Sequence, residues 1–163
     1  MIYTIKKDRH WACPPRVRLY WRKKLWKWTC MLSATCLYDE KEFPGHNKLV
    51  GVGQLPSHHH NSIRLSWKRL PMFSAFSLHA YYYQDKKRLW SPPLLVICPN
   101  QWFDIEIEGR STGCFLTITT STQKISYGIS NYQVAKLTYG MNPYFGGPRP
   151  APHKMFIGLT QMY

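Results

Sequence analysis

Through most of this chain apolar and polar residues alternate one by one, the spacing of a strand whose side chains point to opposite sides in turn. Over 62–70 the pattern puts Ile63, Leu65 and Trp67 on one side and Arg64, Ser66 and Lys68 on the other. Over 73–83 it sends Phe76, Leu78, Ala80 and Tyr82 inward and leaves Ser77, His79, Tyr81 and Tyr83 on the opposite face. Further strands are expected at 48–54, 94–98, 102–108, 114–120, 124–129, 135–141 and 154–160, with turn-forming residues between them. The stretch 102–129 reads as a meander that turns at 109–113 and 121–123. No amphipathic helix is expected.

Near the N-terminus the same period places Arg16, Arg18, Tyr20 and Arg22 on a wet face and Val17, Leu19 and Trp21 on a buried one. Lys23 and Lys24 then make a turn, and Trp26, Trp28 and Cys30 face inward opposite Lys27 and Thr29. The expectation is a basic-tipped hairpin. Near the other end, 144–153 holds three prolines, paired glycines and two aromatic rings, and continues neither a helix nor an inner strand. A stiff connection of this kind crosses from one β-layer to another. A dozen short strands in 163 residues then give one all-β domain over 1–163, a two-sheet antiparallel β-sandwich of the jelly-roll kind.

Composition changes this picture in two respects. Lys and Arg number 22 against 8 Asp and Glu, a formal charge of +14, a field that attracts polyanions. The excess is greatest in residues 1–50, where eleven bases meet four acids. Arg16, Arg18, Arg22, Lys23 and Lys24 are therefore candidate polyanion-binding residues. With the nearby indoles they could hold single-stranded nucleic acid, each stacked base contributing ~1–3 kcal/mol. If the indoles instead face inward, the charges serve to deter edge-to-edge pairing or to dock an acidic protein surface. The five cysteines are odd in number and without zinc-ligand spacing, which reads as small core residues in a reduced protein. Early charges and the lack of a long apolar run exclude, at this level, a cleaved leader and a membrane span.

Three groupings could carry chemistry. If 62–70 and 73–83 are neighbours, Arg64, Lys68, His79, Tyr81 and Tyr83 form one floor of cations, phenols and an imidazole, suited to a glycan whose sugar faces stack on rings. Asp104, Glu106 and Glu108 share one strand face at i, i+2 and i+4, the enzyme-like alternative, against the plainer reading of acids paired with bases across the sheet. His58, His59 and His60 point in different directions and read as exposed turn residues rather than metal ligands. No phosphate loop, nucleophile elbow, metal site or cofactor site is expected.

The segments Tyr3-Thr4-Ile5-Lys6-Lys7 with His10, His46-Asn47-Lys48-Leu49-Val50-Gly51, His58-His59-His60-Asn61-Ser62 with Arg64 and Trp67, Ala80-Tyr81, and Tyr144-Phe145-Gly146-Gly147 with Ala151-Pro152-His153 resemble, in that order, a family of Bacteroidetes and crAss-like phage proteins. The resemblance implies a concanavalin-A-like jelly roll whose last strand follows the Phe-Gly-Gly turn, and carries over no activity. Lys154 departs from it, since an acidic residue is expected there. Asp104-x-Glu106-x-Glu108 resembles the acidic strand of laminarinase-like glycoside hydrolases with its first two acid types exchanged. Together these readings give a non-enzymatic interaction module, virion-associated or in a host cytoplasm, that binds glycan or an acidic protein surface and assembles as a homo-oligomer or into a virion. The alternatives are a glycoside hydrolase or lyase using Asp104, Glu106 and Glu108, and a nucleic-acid-binding protein.

Overall fold

The computed structural model describes residues 1–16 and 18–162. Its strands are β1 (Ile2–Ile5), β2 (Ala12–Cys13), β3 (Leu19–Trp21), β4 (Leu25–Leu32), β5 (Asn47–Gln54), β6 (Ser62–Arg69), β7 (Phe76–Gln84), β8 (Lys87–Trp90), β9 (Leu95–Ile97), β10 (Trp102–Arg110), β11 (Gly113–Thr119), β12 (Lys124–Ser130), β13 (Leu137–Met141) and β14 (Met155–Met162). They form two antiparallel sheets. Sheet A runs β12-β11-β10-β4-β14-β1-β2, and sheet B runs β3-β13-β5-β6-β7-β8 with β9 beside β8 on the same edge of β7. The protein is an all-β jelly-roll sandwich, as the alternation implies.

The core lies between the sheets. Trp26, Trp28, Cys30 and Leu32 of β4 and Phe103, Ile105 and Ile107 of β10 face Ile63, Leu65 and Trp67 of β6 and Phe76, Leu78, Ala80 and Tyr82 of β7. Each set occupies alternate positions of its strand, because only one side of each sheet is turned to the other layer. The connection after β13 crosses from sheet B to sheet A as its composition requires. Phe145 is fully buried there, edge-on to Tyr38 and Phe43 at 5.3 and 6.0 Å. Gly146 follows because a Cβ would lie 1.9 Å from the His46 carbonyl oxygen, and Asn47 Oδ1 accepts the Gly146 N–H at 2.8 Å.

The expected basic hairpin is not one. β3 pairs with β13 in sheet B, whereas β4 pairs with β10 and β14 in sheet A, so Arg22, Lys23 and Lys24 bridge the two layers. The faces of β3 are also reversed. Leu19 and Trp21 are 62% and 65% exposed, while Tyr20 turns in against Trp26 at 5.9 Å and donates to Gln161 Oε1 at 3.0 Å. The reason is register: Tyr20 stands opposite the buried Thr138, and an edge strand takes its facing from its one partner. Val17, expected to face inward, lies outside the described residues. Cys30, Cys36 and Cys114 are core residues, but Cys13 and Cys98 are exposed.

Replacing Phe145 with alanine should empty the aromatic cluster and cost about 3–5 kcal/mol, measured by chemical denaturation. A loss below 1 kcal/mol would mean that the crossing is held by its backbone alone.

Candidate functional site

Sheet B presents one face to the core and the other outward, and the outward face collects the polar residues of its central strands. Register sets Met141, Gly51, Arg64, Tyr81 and Trp90 side by side in one row. The next row along the strands is Leu19, Tyr139, Gly53, Ser62, Tyr83 and Arg88. On the other side of Arg64, Lys48, Ser66 and His79 form a third row, extended by Tyr144, which bridges to Lys48. Arg64, Lys68, His79, Tyr81 and Tyr83 do share one face, because β6 and β7 are neighbours.

Arg64 is the centre. It is 8% exposed, its stem lies over Gly51, and a Cβ on that glycine would fall 2.8 Å from Arg64 Cγ. Nη2 donates to the Asn142 carbonyl at 2.8 Å, while Nε is buried and has no hydrogen-bond partner among the described residues. Ser62 Oγ, two residues back on the same face, is likewise buried and unpartnered. No ion pair among the described residues reaches Arg64; the groups acting on its charge are the phenols of Tyr81, Tyr139, Tyr144 and Tyr83, and burial brings its pKa down to about 10.

Around it stand groups that the alternation alone did not reveal. Lys48 Nζ lies 4.7 Å from the Tyr81 ring centroid and 5.8 Å from that of Tyr144, and burial together with Arg64 and Arg88 lowers its pKa to about 8. His46 packs edge-on to His79 at 4.8 Å, with Trp90 at 5.5 Å on its other side, and burial holds it near 4. Tyr139 OH and His58 Nδ1 share a 2.6 Å hydrogen bond, with His58 also lowered to about 4 by burial and then by His59. Burial raises Tyr81 to about 12, with a contribution from its hydrogen bond to Tyr83. His10 stacks on Tyr144 at 5.3 Å, and Trp11, 66% exposed, flanks the same ring. The floor is aromatic and neutral except for its cations.

Lys48 escaped the period-two reading because of a bulge. The register shifts between Lys48 and Val50, so Leu49 and Val50 both enter the core and Lys48 points outward although Val50 and Val52 do not. The histidine run is not simply exposed: His58 and His60 are half-buried, and only His59 is open. Lys68 stands at the end of the face, paired with Glu40 at 2.7 Å.

Asp104, Glu106 and Glu108 lie on the outer face of sheet A, on the side of the molecule away from Arg64. Thr29 donates to Asp104 at 2.7 Å, Lys27 pairs with Glu106 at 2.8 Å and Arg110 with Glu108 at 2.7 Å. Arg110 also pulls the Glu108 carboxyl below its usual range. The first two contacts are cross-strand pairs with β4 and the third lies within β10, the pattern of a solvated sheet face. The polyanion residues are also dispersed. Arg18 turns inward to Gln161, Arg22 covers the Trp21 ring at 5.7 Å and Lys23 the Tyr20 ring at 5.3 Å, and of the five Arg16, Arg22 and Lys24 are exposed. Among the described residues no cluster of three His, Cys, Asp or Glu side chains has metal-binding geometry.

No protein-family model and no curated protein matches this chain. Solved structures do. An alginate lyase from Klebsiella pneumoniae matches with a TM-score of 0.64 at 13% identity, over 85% of this chain and 59% of that enzyme, so the chain spans less than two thirds of its length. Scytalido-glutamic peptidase matches with a TM-score of 0.58 at 10% identity over 97% of this chain and 81% of the peptidase. An alginate lyase from Alteromonas sp. 272 matches with a TM-score of 0.50 at 9% identity, over 99% and 78%. At these identities the likeness shows the shared jelly-roll sandwich. The expectation of a non-enzymatic module is corrected by these matches: the solved structures that share this sandwich include lyases and a peptidase, so the fold gives no ground for denying catalysis.

His46 and His58 take up protons near 6.5 when unfolded but only near 4 when folded. Between those values the unfolded chain holds more protons, so the two histidines make stability rise with pH and fall as pH drops through that window. The Tm of His46→Gln should therefore decline less than that of the parent between pH 7 and pH 5; equal declines would mean that the ring is solvated.

Proposed function

We propose that the protein is a polysaccharide lyase that cleaves an acidic glycan by β-elimination at the Arg64 face of sheet B. The observation that carries this reading is Arg64 itself, a buried cation with an unpartnered Nε, ringed by phenols and free of any carboxylate among the described residues. A buried charge without a counter-ion is costly, and an anionic ligand relieves that cost. The shared sandwich of two alginate lyases supports the same reaction class.

In a uronate residue the C5 proton is adjacent to the carboxylate, and its removal places negative charge on that carboxylate. Arg64 neutralises it. Lys48, brought to about 8, loses its ammonium proton near neutral pH and then takes the C5 proton. The electron pair forms the C4–C5 double bond, the C4–O4 bond breaks, and O4 receives the phenolic proton of Tyr139. Burial raises the Tyr139 pKa and so keeps its proton available, while the Arg64 charge and the hydrogen bond to His58 partly offset the cost of the phenolate left behind. Exposed Trp11 and Trp90 offer sugar-stacking surfaces at the two sides of the face.

Polymannuronate, polyguluronate and polygalacturonate, assayed by the ultraviolet absorbance of the unsaturated product, test the reading directly. Arg64→Ala should lower turnover by about 10²–10³-fold with the fold retained by circular dichroism. For the parent, kcat/KM should rise with pH to a plateau above about 8, and Lys48→Arg, which keeps the charge but holds its proton, should abolish turnover. Glu106→Gln should stay within about twofold of the parent, since its carboxylate only pairs with Lys27 on the opposite sheet. Absence of unsaturated product from all three polymers, or full activity in Lys48→Arg, would reject the assignment.

A further inference from the structure

Beyond Ser62 the outer face of sheet B runs into a second concavity, lined by Gln54, Pro56, Ser57, His59, His60, Tyr83 and Lys86. It lies between two turns that are docked on each other. The Lys86 N–H donates to the His60 carbonyl at 3.0 Å, and the Asp85 N–H donates to Asn61 Oδ1 at 2.9 Å. Asn61 in turn accepts the Gln54 N–H at its carbonyl at 2.9 Å and donates through Nδ2 to Gln54 Oε1 at 3.2 Å. Asp85 and Lys86 both have positive φ, 50° and 67°, so the reverse turn is tight and aims a defined edge at the groove. The groove is thus built from fixed backbone.

Its polar content is unusual in one respect. His60 Nδ1, Ser62 Oγ and Arg64 Nε are all buried and lack hydrogen-bond partners among the described residues, and they belong to alternate residues of one stretch of chain. Ser62 and Arg64 are neighbours on one face of β6, about 7 Å apart at two strand rises. A line of unpartnered donors and acceptors therefore leads from the Arg64 centre into the groove. His59 lies edge-on to Tyr83 at 5.0 Å over that line. Lys86 is exposed at the groove edge and makes no ion pair among the described residues. The acid of this turn, Asp85, precedes it.

From these placements we infer that the groove is a second anion subsite, in which Lys86 and His60 hold a further acidic residue of the same glycan whose reacting carboxylate sits on Arg64. The inference rests on the lyase reading and narrows it: the substrate carries acidic groups on more than one unit, and a chain too short to reach Lys86 binds less well. Ser62 contributes a hydroxyl between the two sites.

Lys86→Gln tests it, because Lys86 is exposed and its substitution leaves both turns bonded through their backbones. With whichever of the three polyuronates is cleaved, KM should rise about tenfold while kcat is unchanged, and with an unsaturated-product assay on the matching trisaccharide the variant and parent should differ less than twofold. An unchanged KM on the polymer overturns the subsite and leaves the Arg64 assignment intact. If none of the polymers is cleaved, tryptophan fluorescence titration with polygalacturonate and with heparin still decides the matter. Weaker binding by Lys86→Gln than by the parent supports the groove even as the lyase reading falls, whereas equal binding, or no binding by either protein, overturns it.

Discussion

Strand β6 must be buried on both faces, and the rest of the molecule is arranged around that constraint. As a central strand of sheet B it sends Ile63, Leu65 and Trp67 into the sandwich, and Ser62, Arg64 and Ser66 on the other side are covered as well. An apolar strand would meet this demand at no cost. A guanidinium at its centre does not, since removal from water costs several kcal/mol unless an anion or good acceptors replace the lost hydration. Arg64 has one carbonyl acceptor, from Asn142, and otherwise a wall of phenols. The arrangement is set by pairing: Gly51 on one side admits the stem, and Tyr81 on the other side bounds the head.

The distribution of charge over the two sheets follows the same division of labour. The acids of β10 lie on the outside of sheet A, each with a base or hydroxyl in reach, where exposed ion pairs contribute little to stability. Lys48 and Arg64 of sheet B stand among aromatic rings and make no ion pair among the described residues, whereas Lys68 pairs with Glu40. A chain with an overall charge of +14 draws anions toward itself, and the outer face of sheet B carries desolvated donors at Arg64. Burial also shifts the titratable groups of this face in opposite directions. It brings Lys48 down toward neutrality and holds Tyr81 and Tyr139 in their protonated forms.

Fold and site are joined most directly at the crossing after β13. Phe145 anchors it in the core beside Tyr38, Gly146 lets it pass against the His46 carbonyl, and Tyr144, one residue earlier, bridges to Lys48 and stacks on His10. The segment that closes the sandwich is therefore also a wall of the site. Its neighbour His46 lies across the same backbone contact, so a shift in the crossing would be felt by Lys48, His46 and Tyr144 together.

Alternation along the chain was enough to specify the sandwich, the inward faces of β4, β6 and β7, the shared face of Asp104, Glu106 and Glu108, and the grouping of Arg64, Lys68, His79, Tyr81 and Tyr83, because a strand with one face in a core has no freedom in where its next side chain points. The same rule failed at β3, an edge strand whose facing came from pairing with β13, and at Lys48, where a bulge breaks the period. The strands β1, β2 and β8 escaped notice because they are short and lack a regular alternation. Whether Asp104, Glu106 and Glu108 or the Arg64 floor met a cleft could not be read from spacing, since both sets satisfy the same periodicity. Only the assembly of the two sheets decided it, by pairing one set across a solvated surface and leaving the other as an unbalanced charge among buried rings.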